Sequence, residues 1–253
     1  MGSRSIPHRL QVVVGALSLV MVVNGVSYWL FGPAATLSAV RSVFGLTHPH
    51  LASGEIVLPP VDAFQTSFVA HPVGIALHYV FMPLMLVAAL FQFSAGLRAR
   101  RPRVHRWLGR VFFACLLIGV AGGLARVVTG ELYGGALSRL QFSGMAIMTL
   151  TCATLGGAAA LRRDFVAHQR WMWRTYLVVW SSAVVSRLLI LFVVPVLWRW
   201  MGGRYEDYVV PYNAVLVASW AFPPVIADAF LELRRSKPAR SPASITPAIG
   251  QSS

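Results

Sequence analysis

Two short segments of this chain carry nearly the same set of histidine, arginine and tryptophan residues. They are Leu97-Arg98 followed by His105-Arg106-Trp107-Leu108-Gly109-Arg110, and Leu161-Arg162 followed by His168-Gln169-Arg170-Trp171-Met172-Trp173-Arg174. Imidazole rings bind metals and exchange protons near neutral pH, and guanidinium groups bind carboxylates and phosphates. The repeat therefore predicts a binding site for a cofactor or an anion. Its candidate residues are His105, His168, Arg106, Arg110, Arg170 and Arg174.

The composition of the chain excludes a soluble globular protein. Hydrophobic residues make up 57% of the 253 positions, charged residues make up 12%, and the mean hydropathy is +0.65. Soluble domains carry about 25% charged residues. Segments of roughly 20 apolar residues indicate transmembrane helices, and six occur, at about 10–31, 73–97, 108–128, 136–161, 171–197 and 209–233. We therefore predict an all-α fold, an integral membrane bundle of six transmembrane helices.

The distribution of basic residues predicts the orientation of this bundle. The formal net charge of +14 by itself suggests a nucleic-acid partner. If the N-terminus lies in the cytoplasm, however, sixteen of the 22 Lys and Arg residues fall in cytoplasmic segments and five fall on the opposite side. This positive-inside bias predicts that both termini are cytoplasmic. It also predicts anionic lipid, and no nucleic acid, as the partner of the basic segments.

The repeated motif organises the middle of the chain. Each copy follows one apolar span and leads into the next, so spans two and three form one helical hairpin and spans four and five form another. Hairpins that run in the same direction imply a pseudo-twofold axis along the membrane normal. We predict a pseudo-duplicated four-helix core of spans two to five, with His105 and His168 at equivalent places at its cytoplasmic mouth. The alternative is that the Arg-Trp pairs are simple interfacial anchors.

The chain is expected to form a single transmembrane domain over residues 1–234. The first span is expected to be retained, because its apolar run is longer than the roughly 7–15 residues usual in a signal peptide. The longest connection, about 32–71, is expected on the outer side. The tail at 235–253 is rich in Ser, Pro and Ala and is expected to be disordered in the cytoplasm, because it cannot bury a core.

Polar residues also occur at membrane depth. His71, His78 and Gln92 are spaced so that they share one face of the second span. This stripe should face protein, because polar groups in lipid are costly, and it could belong to a proton or solute path. Arg187 in the fifth span should face the bundle, next to His78 or a backbone carbonyl. Asp228 near the inner end of the sixth span is expected to pair with one of three residues: Arg174, Arg110 or His168.

Small residues within the spans predict how the helices pack. Gly119, Gly122 and Gly123 in the third span, and Gly156 and Gly157 in the fourth, favour close helix approach. The two cysteines, Cys115 and Cys152, both fall inside spans and are expected to be small buried hydrophobes rather than a disulfide or a metal pair.

The motifs together resemble a family of predicted multi-pass membrane proteins, domain of unknown function 2306, over about residues 71–233. The resemblance is carried by the two histidine motifs quoted above and by six further features: His78, Gln92-Phe93, Leu97-Arg98, Arg187, Trp220 and Asp228. Asp228 stands where a Glu is expected, and Phe112 departs from a Tyr that is usual beside Arg110. The resemblance implies a bacterial inner-membrane protein with no settled activity.

Three kinds of function are compatible with these residues. In a structural protein, the motifs would hold the cytoplasmic turns at the lipid headgroups. In a binding protein, the arginines would hold a small anion or an anionic lipid. In a redox protein, His105 and His168 would ligate one haem b or a non-haem metal, and the arginines would hold the haem propionates. Enzymatic activity stays open, since the sequence contains no nucleotide-binding, zinc-protease or serine-hydrolase motif.

Overall fold

A computed structural model of the protein describes residues 15–19, 23, 30–32, 38, 42, 72–129, 132, 134–202 and 206–235. Within these ranges every regular element is helical, so the prediction of an all-α fold is confirmed. His71, most of the outer connection at 32–71 and all of the predicted tail except Arg235 lie outside the described residues.

The described helices follow one another with short connections. Their bounds are α1 (Pro72–Gln92), α2 (Ala95–Arg100), α3 (Pro102–Thr129), α4 (Gly135–Leu161), α5 (Phe165–Trp180), α6 (Ser186–Phe192), α7 (Val194–Trp200) and α8 (Val209–Arg235). A π-helical turn, Ser181–Val185, joins α5 to α6, and a 3-10 turn, Glu206–Tyr208, precedes α8.

Five described segments are long and apolar enough to cross a membrane. They are Pro72–Gln92, Pro102–Thr129, Gly135–Leu161, Phe165–Phe192 and Val209–Ile226, and they correspond to predicted spans two to six. The prediction of a multi-pass helical membrane protein is confirmed. The first predicted span, about 10–31, lies mostly outside the described residues, so the count of six stays a prediction. Its described residue Ser18 is fully buried and interacts with the Tyr176 hydroxyl on α5.

The turn of the first hairpin differs from the predicted boundaries. The second span ends at Gln92 rather than 97, because Ser94 begins a separate short helix, α2. The Ser94 hydroxyl accepts a hydrogen bond from the Leu97 backbone N–H at 3.2 Å, which satisfies a donor at the start of α2. The third span begins at Pro102 rather than 108, since a proline in the first helical turn needs no hydrogen-bond acceptor.

The turn of the second hairpin is shorter. The fifth span begins at Phe165 rather than 171, because a carboxylate oxygen of Asp164 accepts a hydrogen bond from the Ala167 backbone N–H at 3.0 Å. Arg163 adopts a left-handed conformation with φ of 61°. The Asp164 N–H donates to the Ala159 carbonyl, which closes the end of α4 in a Schellman arrangement.

The two predicted hairpins are both present. Helix α1 packs mainly along α3, and α4 packs mainly along α5. The hairpins meet where α3 touches α4 and where α1 touches α5, and α8 packs against α5 and α4. Buried residues from all four core helices form one cluster, which includes Met85, Leu86, Phe112, Leu116, Ala153, Tyr176 and Val179. Cys115 and Cys152 are free and buried, as predicted.

Glycines allow α1 and α3 to approach backbone to backbone. A Cβ atom added at Gly122 would lie 2.5 Å from the Gly74 carbonyl oxygen and 3.0 Å from the His78 backbone nitrogen. At Gly119, an added Cβ would lie 2.7 Å from the Met82 sulfur. The expectation that these glycines serve close helix packing is confirmed. The close approach of the two helices also sets the position of the polar side chains on α1 that face α3.

Replacing Gly122 by Ala is therefore expected to lower the free energy of unfolding by about 1–3 kcal/mol, the usual cost of overpacking. Gly144→Ala on α4 is the matched control, because its added Cβ would meet Trp220 at an ordinary 3.5 Å. Denaturation of the purified protein in mixed micelles measures both changes. Equal stability of the two variants would contradict the close approach of α1 and α3.

Candidate functional site

The two repeat histidines occupy the same position in their helices. His105 is the fourth residue of α3, and His168 is the fourth residue of α5. His105 interacts electrostatically with His168 and with Arg98. Both histidines lie near the starts of their helices, at the end of the bundle that we call the basic end because the arginine-rich turns lie there.

The environments of the two imidazole rings differ. The Nδ1 atom of His168 lies 2.8 Å from the Gly156 carbonyl oxygen. A carbonyl only accepts hydrogen bonds, so Nδ1 carries the proton and the neutral ring has a free electron pair on Nε2. The Nδ1 atom of His105 is buried and has no hydrogen-bond partner among the described residues. The repeat therefore produces one oriented ring and one ring with a buried, unsatisfied nitrogen.

Gln92 explains part of this difference. Its side-chain Nε2 donates a hydrogen bond to the His105 backbone carbonyl at 2.6 Å. When Leu97-Arg98 is aligned with Leu161-Arg162, Gln92 corresponds to Gly156. At this position the first hairpin has the long amide side chain of glutamine, whereas the second has no side chain. Only in the second hairpin does the histidine ring reach the backbone of the preceding helix. The sequence placed Gln92 in the membrane stripe and missed its contact with a repeat histidine.

A one-residue shift changes the remaining motif residues. Tryptophan follows the histidine by two residues at Trp107 and by three at Trp171. One residue turns a helix by about 100°, so equivalent side chains point in different directions. Trp107 is 65% exposed. Trp171 is half-buried, with the Arg174 guanidinium 4.2 Å above its ring.

The four repeat arginines differ in exposure and in hydrogen-bond partners. Arg106, Arg110 and Arg170 are exposed. Arg174 donates from Nε and Nη2 to one carboxylate oxygen of Asp228, at 2.9 Å and 2.5 Å. The prediction that Asp228 pairs with a basic residue of the core is confirmed, and the pair joins α8 to α5. Of the four repeat arginines, three are thus exposed and one is paired.

An aromatic contact joins the two hairpins beside this site. The rings of Phe93 and Trp173 stack with centroids 4.1 Å apart, and Phe93 meets Tyr176 edge-on at 5.0 Å. Phe93 lies in the turn after α1, so its ring packs the turn of the first hairpin against α5. The sequence showed Phe93 only as a neighbour of Gln92 and gave no signal for this contact.

Few protein side chains near the histidines could act as metal ligands. Among the described residues, no group of three or more His, Cys, Asp and Glu side chains is arranged to hold a metal ion. His105 and His168 could supply two ligands. A bound metal or haem would need its other ligands from a cofactor ring, from water or from elsewhere.

Within the membrane-spanning part, His78 also donates to a glycine carbonyl. Its Nδ1 atom lies 2.9 Å from the Gly119 oxygen on α3. Gln92 contacts α3 as well, so the prediction that His78 and Gln92 share a protein-facing side of α1 is confirmed. The third member of the predicted stripe, His71, lies outside the described residues.

Arg187 lies differently from its predicted position. It is exposed rather than buried among the helices, although its charge still acts on His78 of α1. Its Nη1 atom donates to the Ser182 carbonyl at 2.6 Å and to the Ser186 hydroxyl at 3.2 Å. In the π-helical turn, the Ser186 N–H bonds to Ser181 five residues earlier, so Arg187 can be satisfied by its own helix. The expected carbonyl neighbour is therefore present.

The ion pair between Arg174 and Asp228 should contribute measurably to stability. Arg174→Gln and Asp228→Asn are each expected to lower the free energy of unfolding by about 1–3 kcal/mol, because hydrogen bonds to charged groups contribute about this much. The double variant should lose less than the sum of the two. Arg170→Gln is the matched control and should change stability by less than about 0.5 kcal/mol, since Arg170 is exposed. Micelle denaturation of all four variants checks this, and strictly additive losses would contradict the pairing.

A known protein family matches more than half of this chain. The family model described as "Predicted membrane protein (DUF2306)" matches residues 75–231, which is more than half of the chain. No curated protein matches the chain. No solved structure matches it either. The match covers both histidine motifs, Arg187 and Asp228. The chain therefore belongs to the family of predicted membrane proteins that carry domain of unknown function 2306.

Proposed function

We propose that this protein binds anionic lipid headgroups through its basic end and acts as a structural membrane protein. The observation that carries the proposal is the exposure of Arg106, Arg110, Arg170 and the ring of Trp107. All four residues lie in the first turns of the helices α3 and α5, where the chain enters the apolar spans. A free phosphate or carboxylate would be recognised by the same groups.

The charge at the basic end supports an anionic partner. From Ala95 to Arg110 the chain has no acidic residue, and from Leu161 to Arg170 it has only Asp164. The Asp164 carboxylate accepts a hydrogen bond from the backbone at the start of α5. Asp228 on α8 is bonded to Arg174. The exposed arginines therefore present a net positive surface.

The position of the tryptophan supports a lipid surface. Tryptophan is enriched at the membrane–water interface, where its ring is apolar and its N–H is polar. The positive-inside bias of the sequence supports a cytoplasmic position for the basic end, in a bacterial inner membrane, with both termini on that side. The anionic lipids of the cytoplasmic leaflet are then the nearest partners.

The triple variant R106Q/R110Q/R170Q should lose preference for anionic lipid. We expect its selectivity for spin-labelled phosphatidylglycerol over phosphatidylcholine to fall at least about fivefold, because each arginine near an anionic surface contributes about 1 kcal/mol. Electron paramagnetic resonance of the reconstituted protein measures this selectivity through the motionally restricted lipid fraction.

The matched control carries its changes at the other end of the bundle. Arg139→Gln, in the first turns of α4, and Arg199→Gln, near the end of α7, each remove one exposed positive charge. Neither should change the selectivity by more than about twofold, because they lie beyond the roughly 8–10 Å over which salt leaves a surface charge effective. Unchanged selectivity of the triple variant, or an equal loss in the controls, would refute lipid binding at the basic end.

A second candidate function is ligation of haem b or a metal by His105 and His168. The His168 Nδ1–H bond to a backbone carbonyl is the orientation that metal-binding histidines adopt, because it leaves Nε2 free as a ligand. The buried Nδ1 of His105 lacks a partner among the described residues. His105 also interacts electrostatically with His168, so both rings belong to the same end of the bundle.

A visible spectrum separates the two candidates. If a haem is bound, the purified protein should show a Soret band that shifts with dithionite, and His105→Ala and His168→Ala should each remove it. His78→Ala is the control, because His78 lies on α1 and is bonded to Gly119, several helical turns along α3 from His105. A colourless preparation without metal by elemental analysis would eliminate this second candidate and leave lipid binding untouched.

A further inference from the structure

A buried glutamine on α4 carries a donor group that has no protein partner. Gln141 is 4% exposed. It is the seventh residue of α4, about 9 Å along the helix from its start at a rise of about 1.5 Å per residue. Its side-chain nitrogen Nε2 is buried and has no hydrogen-bond partner among the described residues. Since a buried donor without an acceptor is costly, this nitrogen points to a ligand at the same place.

A contact with α8 fixes the orientation of the Gln141 amide. The indole N–H of Trp220 donates to Gln141 Oε1 at 3.4 Å. An indole nitrogen can only donate, so Oε1 rather than Nε2 is the amide atom that faces it. Three residues earlier on α4, the Ser138 hydroxyl donates to Asn213 Oδ1 at 2.9 Å, which gives a second contact between the same two helices. Nε2 therefore lies where α4 and α8 pack together.

The same part of α8 has two backbone acceptors without helical donors. Pro223 and Pro224 lie inside α8, and the helix continues beyond them to Arg235. In an α-helix each N–H bonds to the carbonyl four residues earlier, and proline has no N–H. The carbonyls of Ser219 and Trp220 thus lose their usual donors. One of these two carbonyls belongs to the residue whose indole contacts Gln141.

The Ser219 side chain does not supply a replacement donor. Its hydroxyl is already bonded to the Leu216 carbonyl at 2.7 Å. In membrane helices that contain proline, the freed carbonyls are satisfied by neighbouring helices, by Ser or Thr side chains, or by ordered water. The neighbouring helix here is α4, and the polar group that it brings to this contact is the amide of Gln141.

The donors and acceptors at this contact fit a water molecule. The Gln141 nitrogen offers two N–H donors, and α8 offers two carbonyl acceptors. A buried water typically makes about three hydrogen bonds to groups of this kind. Gly144, three residues after Gln141, carries no side chain, and a Cβ atom added there would meet the Trp220 ring at 3.5 Å. A cation fits less well, because the amide presents N–H groups instead of oxygen.

We propose that a water molecule binds between α4 and α8, where it accepts a hydrogen bond from Gln141 Nε2 and donates to the carbonyls of Ser219 and Trp220. This water bridges the two helices beside the proline pair. Asp228 follows Pro224 by about one helical turn, so the bridge also positions the part of α8 that pairs with Arg174. The proposal does not depend on lipid binding at the basic end.

The test is nuclear magnetic resonance of the full chain in nanodiscs, with water itself as the probe. Isotopic labelling of glutamine nitrogen makes the side-chain amides visible, and Gln141→Leu identifies the Gln141 signal by its loss. We expect a nuclear Overhauser cross-peak between the Gln141 amide protons and water, because the bound water lies at hydrogen-bond distance from Nε2. Gln169 is exposed and serves as the positive control, since it meets bulk water in every variant.

The double variant P223A/P224A distinguishes a bridging water from a water held by Gln141 alone. The two alanines restore N–H groups that bond to the Ser219 and Trp220 carbonyls. The cross-peak should weaken at least about fivefold, because the water loses two hydrogen bonds. Pro224→Ala alone frees the helix of one proline and is the milder change if the double variant does not fold. It should weaken the cross-peak about twofold or more, through loss of one hydrogen bond.

Pro83→Ala is the matched control, because Pro83 lies inside α1, which packs mainly along α3. It should change the cross-peak less than about twofold, as expected for a distant site. A cross-peak that P223A/P224A weakens and Pro83→Ala retains supports the bridge. The proposal is overturned if Gln141 shows no cross-peak with water in the unaltered chain, or if the proline variants of α8 weaken it no more than Pro83→Ala does. None of these results affects the selectivity measured for the basic end.

Discussion

A polar side chain within the lipid bilayer finds no water, so its hydrogen bonds must be made inside the protein. In this bundle, backbone carbonyls meet much of that demand. His78 and His168 donate to the carbonyls of Gly119 and Gly156. Arg187 donates to the carbonyl of Ser182, which the π-helical turn brings within reach. Because each bond has one fixed direction, it also fixes the orientation of the ring or guanidinium that donates it.

These bonds require helices that approach each other closely. The missing side chains at Gly122 and Gly123 let the α1 backbone lie against α3, which brings His78 to the Gly119 carbonyl. In the second hairpin, a Cβ atom added at Gly156 would lie 2.8 Å from the Met172 sulfur, so α4 and α5 are similarly close. Helix packing and the hydrogen bonding of buried polar groups therefore depend on the same close contacts. A substitution that separates the helices would also break the hydrogen bonds of the imidazole rings.

The two hairpins share a motif but use it differently. Gln92 corresponds to Gly156, and the one-residue shift after His168 turns its arginines and tryptophans to a new side. Consequently Arg174 is bonded to Asp228, whereas Arg110 is exposed. The first hairpin thus keeps both of its repeat arginines exposed, and the second keeps Arg170 exposed and fixes α8 to the core through Arg174. An ancestral duplication is compatible with this division because each copy retains its place at a helix start.

The sequence by itself determined the membrane environment, the all-α fold and the place of the repeat, because hydropathy and charge act residue by residue along the chain. It also named Arg174 as one of three candidate partners of Asp228, and it predicted the shared face of His78 and Gln92 because helical periodicity sets which side a residue occupies. Only the tertiary structure decided that Gln92 bonds to the His105 carbonyl and that Arg187 is exposed and bonded to Ser182. Those outcomes depend on a helix break at Ser94, a π-helical turn and contacts between helices that are distant in sequence. Each of these results from competition among neighbouring groups for hydrogen bonds and space, which a local sequence pattern does not show.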